Sequence, residues 1–131
     1  MKVADWMTSK VETIHPRDTL AEAEGKMRRG RFRRLPVLDD GGALVGILSE
    51  RLLHEHVGYL PTTRVTAAMV EKPITIGPEE SIERAAEILL EHKIGGLPVV
   101  SEGALVGIIT ESDLLTGFLR QARGEAAARG K

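Results

Sequence analysis

The feature that most limits what this chain can fold into is an internal repeat. Sliding the sequence by 62 positions lays Val3 on Val65, Met7 on Met69, Thr13-Ile14 on Thr75-Ile76 and Pro16 on Pro78. The same shift sets Ala23 on Ala85 and Leu35-Pro36-Val37 on Leu97-Pro98-Val99. One residue then drops out. At a shift of 61, Gly42-Ala43-Leu44-Val45-Gly46-Ile47 recurs as Gly103-Ala104-Leu105-Val106-Gly107-Ile108, with Glu50 and Leu53 on Glu111 and Leu114. Self-similarity at a fixed period is the mark of a repeated supersecondary unit. The chain therefore divides into a first copy at 1–57, a connector at 58–62 and a second copy at 63–120, followed by a tail at 121–131 expected to be flexible.

Each copy predicts the same succession of elements. A short opening segment carries Met7 or Met69, and a strand is expected at 11–14 and again at 74–76. A helix follows. In the second copy Ile82, Ala85, Ala86, Leu89 and Leu90 fall on one helical face. Thr19 and Ser81 stand where N-caps belong, and Thr19 with Glu22 forms a capping box. Two apolar strands come next, at 34–38 and 43–48, turning at Asp39-Asp40-Gly41-Gly42, then at 97–100 and 104–109, turning at Ser101-Glu102-Gly103. A second helix closes each copy. The fold class is α+β: two β-α-β-β-α units related by a pseudo-twofold axis, burying a sheet face against each other, with a ligand cleft expected at their junction.

Composition narrows the function. A chain of 131 residues can bury about two-thirds of its unfolded surface. It has no cysteine, so disulfides and thiolate metal sites are excluded. A formal net charge of −1 argues against a general nucleic-acid binder. No apolar run approaches the roughly 18 residues of a membrane span. Met1-Lys2-Val3-Ala4-Asp5 leads into no apolar stretch of a secretory signal. A soluble cytoplasmic protein is expected. No nucleophile–base–oxyanion set and no glycine-rich phosphate loop is visible, so the chain does not read as an enzyme. His54 and His56 are two residues apart and face different sides of a helix, so no metal site is expected there.

Two groups of residues carry chemistry. Thr110 and Asp113 stand at a helix start with the spacing of a capping box, which is a structural role in itself. Arg28, Arg29, Arg31, Arg33 and Arg34 form a basic run. Its first members suit the negative end of a helix dipole. Arg33 and Arg34 precede Leu35-Pro36 on a strand, where side chains alternate, so one of the two should face the cleft.

Each copy resembles a cystathionine-β-synthase (CBS) domain. The resemblance is carried by Asp5-Trp6-Met7-Thr8, by Arg33-Arg34-Leu35-Pro36-Val37 and by Gly46-Ile47-Leu48-Ser49. In the second copy it is carried by Leu97-Pro98-Val99-Val100 and by Gly107-Ile108-Ile109-Thr110-Glu111-Ser112-Asp113-Leu114. The resemblance covers residues 1–120 and implies a paired regulatory module, often a homodimer. It implies an adenine nucleotide (AMP, ADP or ATP) or S-adenosylmethionine as ligand, and a separate effector protein as possible partner. Family members place a Thr/Ser-x-x-Asp motif on the ribose, a role that falls here to Thr110 and Asp113, and basic residues on the phosphates, here Arg33 or Arg34. Ile108, Pro36 and Val11 are the expected apolar contacts of the base. In the first copy Ser49 keeps the hydroxyl but Leu52 replaces the carboxylate, so one competent and one degenerate site are expected. The alternatives are a dimerisation or interaction scaffold without nucleotide, and binding of S-adenosylmethionine or of nucleic acid, which the arginine run permits and the overall charge disfavours.

Overall fold

The computed structural model describes residues 1–56 and 58–124. The greater part of the expected flexible tail, 125–131, lies outside the described residues. Two compact units emerge: Val11–Pro73, and Met1–Lys10 together with the chain from Ile74 onward. Repeat and compact unit are cut differently, because the opening segment of each copy packs with the body of the other.

The unit built from Val11–Pro73 contains helix α2 (Leu20–Gly30), strands β1 (Arg34–Leu38) and β2 (Leu44–Ser49), helix α3 (Glu50–His54), a 3-10 turn (Val65–Ala67) and strand β3 (Val70–Glu71). The other holds helix α1 (Val3–Trp6), helix α4 (Ile82–His92), strands β4 (Gly96–Ser101) and β5 (Ala104–Thr110), and helix α5 (Glu111–Ala122). Each copy contains a helix, a two-stranded hairpin and a closing helix in that order, and the class is α+β as expected.

Local chemistry explains the elements. Thr19 caps α2 in a reciprocal box: its hydroxyl accepts from the Glu22 N–H at 3.2 Å, and Glu22 Oε1 accepts from the Thr19 N–H at 2.8 Å. Ser81 caps α4 through the Arg84 N–H at 3.0 Å. Both helices stop on a left-handed residue, Arg31 (φ 59°) and Lys93 (φ 55°). The next N–H, of Phe32 and Ile94, reaches back to Met27 and Leu89 carbonyls. Phe32 and Ile94 then pack on their cores, the apolar contact that accompanies this kind of helix end. The β4–β5 turn places Glu102 (φ 51°) and Gly103 (φ 81°) consecutively in positive φ, the geometry of a tight hairpin.

Two expectations need correction. The first strand of each copy shrinks to a single parallel bridge, Ile14 to Val37 and Ile76 to Val99. Pro16 and Pro78 follow within two residues of each bridge and limit any longer strand ladder. On α4 the buried face is Ile82, Ala85, Ile88 and Leu89, whereas Leu90 is 79% exposed. The stripe centres between Ala85 and Leu89, which turns Ile88 inward in place of Leu90.

The exchange of opening segments is the main architectural finding. Ile47 of β2 pairs with Val70 of the second copy's opening segment, and Ile108 of β5 bridges Thr8 of the first copy's. Thr8 and Ile108 exchange both backbone hydrogen bonds at 2.9 Å. The crossing is close enough to dictate glycine. A Cβ on Gly107 would meet the Thr8 carbonyl oxygen at 2.7 Å and Met7 Sδ at 2.8 Å; one on Gly46 would meet Met69 Sδ at 2.6 Å and the Val70 oxygen at 2.9 Å. The recurrence of Met and Gly in both copies thus records one contact made twice.

Candidate functional site

In each unit a β-hairpin ends where the closing helix begins, and its first strand residue lies opposite the helix N-cap. Gly96 pairs with Thr110 in one unit, and Arg34 pairs with Ser49 in the other. The backbone ties the two sides together identically: the Glu111 N–H donates to the Gly95 carbonyl at 3.0 Å and the Glu50 N–H to the Arg33 carbonyl at 2.8 Å. The scaffold is the same and the side chains differ.

At the start of α5, Thr110 and Asp113 form the complete capping box read from the sequence. Asp113 Oδ2 accepts from the Thr110 N–H at 3.0 Å and from the Thr110 hydroxyl at 3.2 Å. The Thr110 hydroxyl accepts from the Asp113 N–H at 3.4 Å. Both residues are half-buried. The box therefore fixes the rotamer of a carboxylate beside the N–H groups of a twelve-residue helix, a setting favourable to polar or anionic groups. Within the box both donors, the Thr110 N–H and hydroxyl, go to Oδ2. Gly96, directly across, brings no side chain to the pair.

At the start of α3, Ser49 accepts from the Leu52 N–H at 3.2 Å, but Leu52 returns nothing and packs against the core of its unit. The helix is held by half a box: its first-turn carboxylate, Glu50, is its first residue, and the position that completes the box in α5 holds Leu52.

The predicted residues fall on both units. Thr110, Asp113 and Ile108 belong to the unit containing β5 and α5, with Ile108 two residues before Thr110 on the same strand face and buried. Arg33, Arg34, Pro36 and Val11 belong to Val11–Pro73. There Arg33 is exposed, Arg34 and Val11 are half-buried, and Pro36 is fully buried in β1 opposite Ile47. Thr8, which the sequence presents only as the end of the Asp5-Trp6-Met7-Thr8 motif, bridges Ile108 just before the box. The available signal was Gly107, a glycine inside an apolar strand.

Several titrating groups are displaced from their ordinary range elsewhere on the surface. The His15 hydrogen bond, followed by that of Arg17, holds the Asp40 carboxyl low, with His15 Nε2 at 2.7 Å. Backbone donation from Thr19 lowers Glu22, and Glu79 raises Lys2. Among the described residues no three His, Cys, Asp or Glu side chains are placed to hold a metal ion, and no helix is long and apolar enough to cross a membrane.

Comparison with known proteins gives consistent matches. The model of the CBS domain family matches residues 3–58 and again 65–120. The CBS domain-containing protein YhcV of Bacillus subtilis is 33% identical over 115 residues, covering 86% of this chain and 81% of that protein. The crystal structure of CBSX2 in complex with AMP aligns with a TM-score of 0.81 at 28% identity, over 93% of this chain and 98% of that one; CBSX2 comes from Arabidopsis thaliana. The CBS domain pair of protein MJ0100, in complex with 5′-methylthioadenosine and S-adenosyl-L-methionine, aligns with a TM-score of 0.84 at 25% identity, over 90% of this chain and 99% of that one.

Proposed function

Because the chain belongs to the CBS-domain family, with two CBS domains in tandem, we propose that it is a non-catalytic regulatory module that binds an adenine nucleotide through the start of α5. The observation that carries this reading is the Thr110–Asp113 box, complete in the second copy and lacking its carboxylate in the first. A carboxylate held in one rotamer is suited to accept both hydroxyls of a ribose diol, and charge-assisted bonds are about twice as strong as neutral ones. The ligands named with CBSX2 and MJ0100 all carry adenine on a ribose, which supports the same chemistry here. Arg33 and Arg34 are the proposed phosphate ligands, and Val11, Pro36 and Ile108 the proposed contacts of the base; these roles rest on the family resemblance. The module acts in the cytoplasm as a homodimer, on a separate effector protein. A ligand shifts such an effector only through a difference in affinity between two states.

Calorimetric titration with AMP, ADP, ATP and S-adenosylmethionine tests the reading, with Asp113→Ala and Asp113→Asn in parallel. One site per chain, weakened at least tenfold in both variants, is expected. Absence of heat with all four ligands at millimolar concentration sinks it and leaves a dimerisation scaffold. Binding of S-adenosylmethionine alone would withdraw the phosphate role from Arg33 and Arg34.

A further inference from the structure

The last turn of α2 and its cap carry three exposed arginines, Arg28, Arg29 and Arg31, that neither the fold nor the proposed nucleotide site uses. With Arg33 and Arg34 they give five arginines and no acidic residue in 28–34. The equivalent positions 90–96 of the second copy contain one lysine and one glutamate, with Leu90 on Arg28 and Glu91 on Arg29. Both helices nevertheless run for eleven residues, stop on a left-handed residue and continue into an apolar side chain, Phe32 or Ile94, packed on its core. A helix C-terminus favours cations, but α4 meets that preference with His92 and Lys93 alone. The helix end does not require the arginine cluster.

Two glycines fix how these side chains lie. Gly25 stands in the interior of α2, where glycine is unfavourable relative to alanine. It is buried, and a Cβ there would meet Arg29 Nη1 at 2.9 Å and Cζ at 3.7 Å. The Arg29 guanidinium therefore lies back along its own helix by one turn. Arg28 runs the same way on the neighbouring row, with Nη1 3.6 Å from Glu24. Gly30 makes room in turn for Phe32, whose ring a Cβ at that position would strike. In the second copy these two positions hold Glu87 and His92, so the helix itself needs neither glycine. Among the described residues Arg29, Arg31 and Arg33 form no ion pair.

From this arrangement we propose that the C-terminal end of α2 is the docking surface for an acidic peptide segment of the effector protein. An arginine already laid against its helix loses less side-chain freedom on binding than one moving in solvent. Its planar fork can then take a carboxylate at two points. Phe32, half-buried between Arg31 and Arg33, offers an apolar contact beside the charges. Arginine clusters are a recurring means of recognising acidic motifs. A short acidic segment fits better than a nucleic acid. Outside the run 28–34 the compact unit Val11–Pro73 holds five basic and nine acidic residues, so a phosphate chain has no basic track to follow. The inference rests on the effector named in the proposed function and not on the nucleotide.

Fluorescence anisotropy of the full chain with a short fluorescein-labelled peptide of repeated Glu-Glu-Leu tests it, beside a Gln-Gln-Leu peptide and a labelled oligouridylate. Saturable binding of the acidic peptide that weakens with salt is expected, and Arg28→Glu with Arg29→Glu should reduce its affinity about tenfold or more. Gly25→Ala separates docking from structure, because the new methyl displaces Arg29 while the helix loses an interior glycine. It should raise the thermal midpoint yet weaken the peptide roughly threefold. Far-ultraviolet circular dichroism confirms that each variant is folded, and calorimetry with AMP should be unchanged in all of them. No saturable binding of the acidic peptide overturns the inference. So does equal binding of Gln-Gln-Leu, oligouridylate bound as tightly as the peptide, or an affinity that neither the arginine pair nor Gly25→Ala alters. Peptide binding that persists in a chain giving no heat with AMP supports the docking surface and sinks the nucleotide reading alone.

Discussion

The start of α5 and the start of α3 occupy one place in two copies of a fold, and they have been used differently. Both strands enter with the same backbone tie and both caps are hydroxyl side chains. One is completed by Asp113 and faces Gly96, whereas the other is left open by Leu52 and faces Arg34. Duplication supplied two equivalent positions, and only one of them completes its cap with a carboxylate, the position proposed above to take the ribose. The lesson is that a repeat fixes backbone geometry while chemistry rests on one or two side chains at each copy.

The same contrast runs through the cores. Trp6 is buried against the backbone face of Gly117 and under Arg120, whose guanidinium carbon lies 5.9 Å from the ring centre. Its equivalent, Ala68, is buried in the other unit with no such ring. The sharpest challenge to this asymmetry is Trp6→Ala, expected to cost about 3–5 kcal/mol in chemical denaturation. Loss of less than about 1 kcal/mol would mean that the unit does not depend on the ring.

Next come the two crossing points, where the copies are alike rather than different. Gly46→Ala and Gly107→Ala should each destabilise by about 1–3 kcal/mol, because a new methyl meets backbone oxygen as well as methionine. Met7→Ala should fail to rescue Gly107→Ala, since the Thr8 oxygen remains in the way. Rescue would show that the methionine alone sets the limit.

The caps separate the copies again at smaller scale. Thr110→Ala should cost about 1–2 kcal/mol and Ser49→Ala about 0.5–1 kcal/mol, because the first dismantles a reciprocal box and the second half of one. Equal losses would erase that distinction.

The smallest effect is in acid. Asp40 and Glu22, both in Val11–Pro73, titrate below their ordinary range in the folded chain. Their stabilisation is complete above the unfolded carboxylate range near pH 4 and is lost as the pH falls through the lower folded value. Asp40→Asn should therefore flatten the acid limb of a melting curve slightly without altering the neutral plateau. An unchanged acid limb would show that the His15 and Arg17 contacts contribute nothing measurable at that exposed site.

Much of this was legible before any coordinates. The repeat displayed two units, the cap spacing located α2, α4 and α5, and the glycine-rich turns located the hairpins. The Thr110–Asp113 box was readable because capping chemistry is local, confined to four consecutive residues. What escaped was non-local. The sequence repeat says that Met7 and Met69 are equivalent, but not that each opening segment packs with the other copy's strands. Nor does apolar spacing alone settle a helix's rotation, since Ile88 and Leu90 compete for one face and tertiary packing chooses Ile88.

The exchanged opening segments also set an order of events during synthesis. Residues 11–73 include every strand of their sheet, so that unit can close as soon as its chain is made. Thr8 must wait for Ile108, about a hundred residues later, an interval of roughly 5–20 s at cellular elongation rates. Val3 and Trp6 are made well before Ile82, Leu97, Ile109 and Leu114, the core residues that shelter them. Until that last hairpin is made, the apolar side chains of residues 3–8 stay exposed and available to the wrong partners.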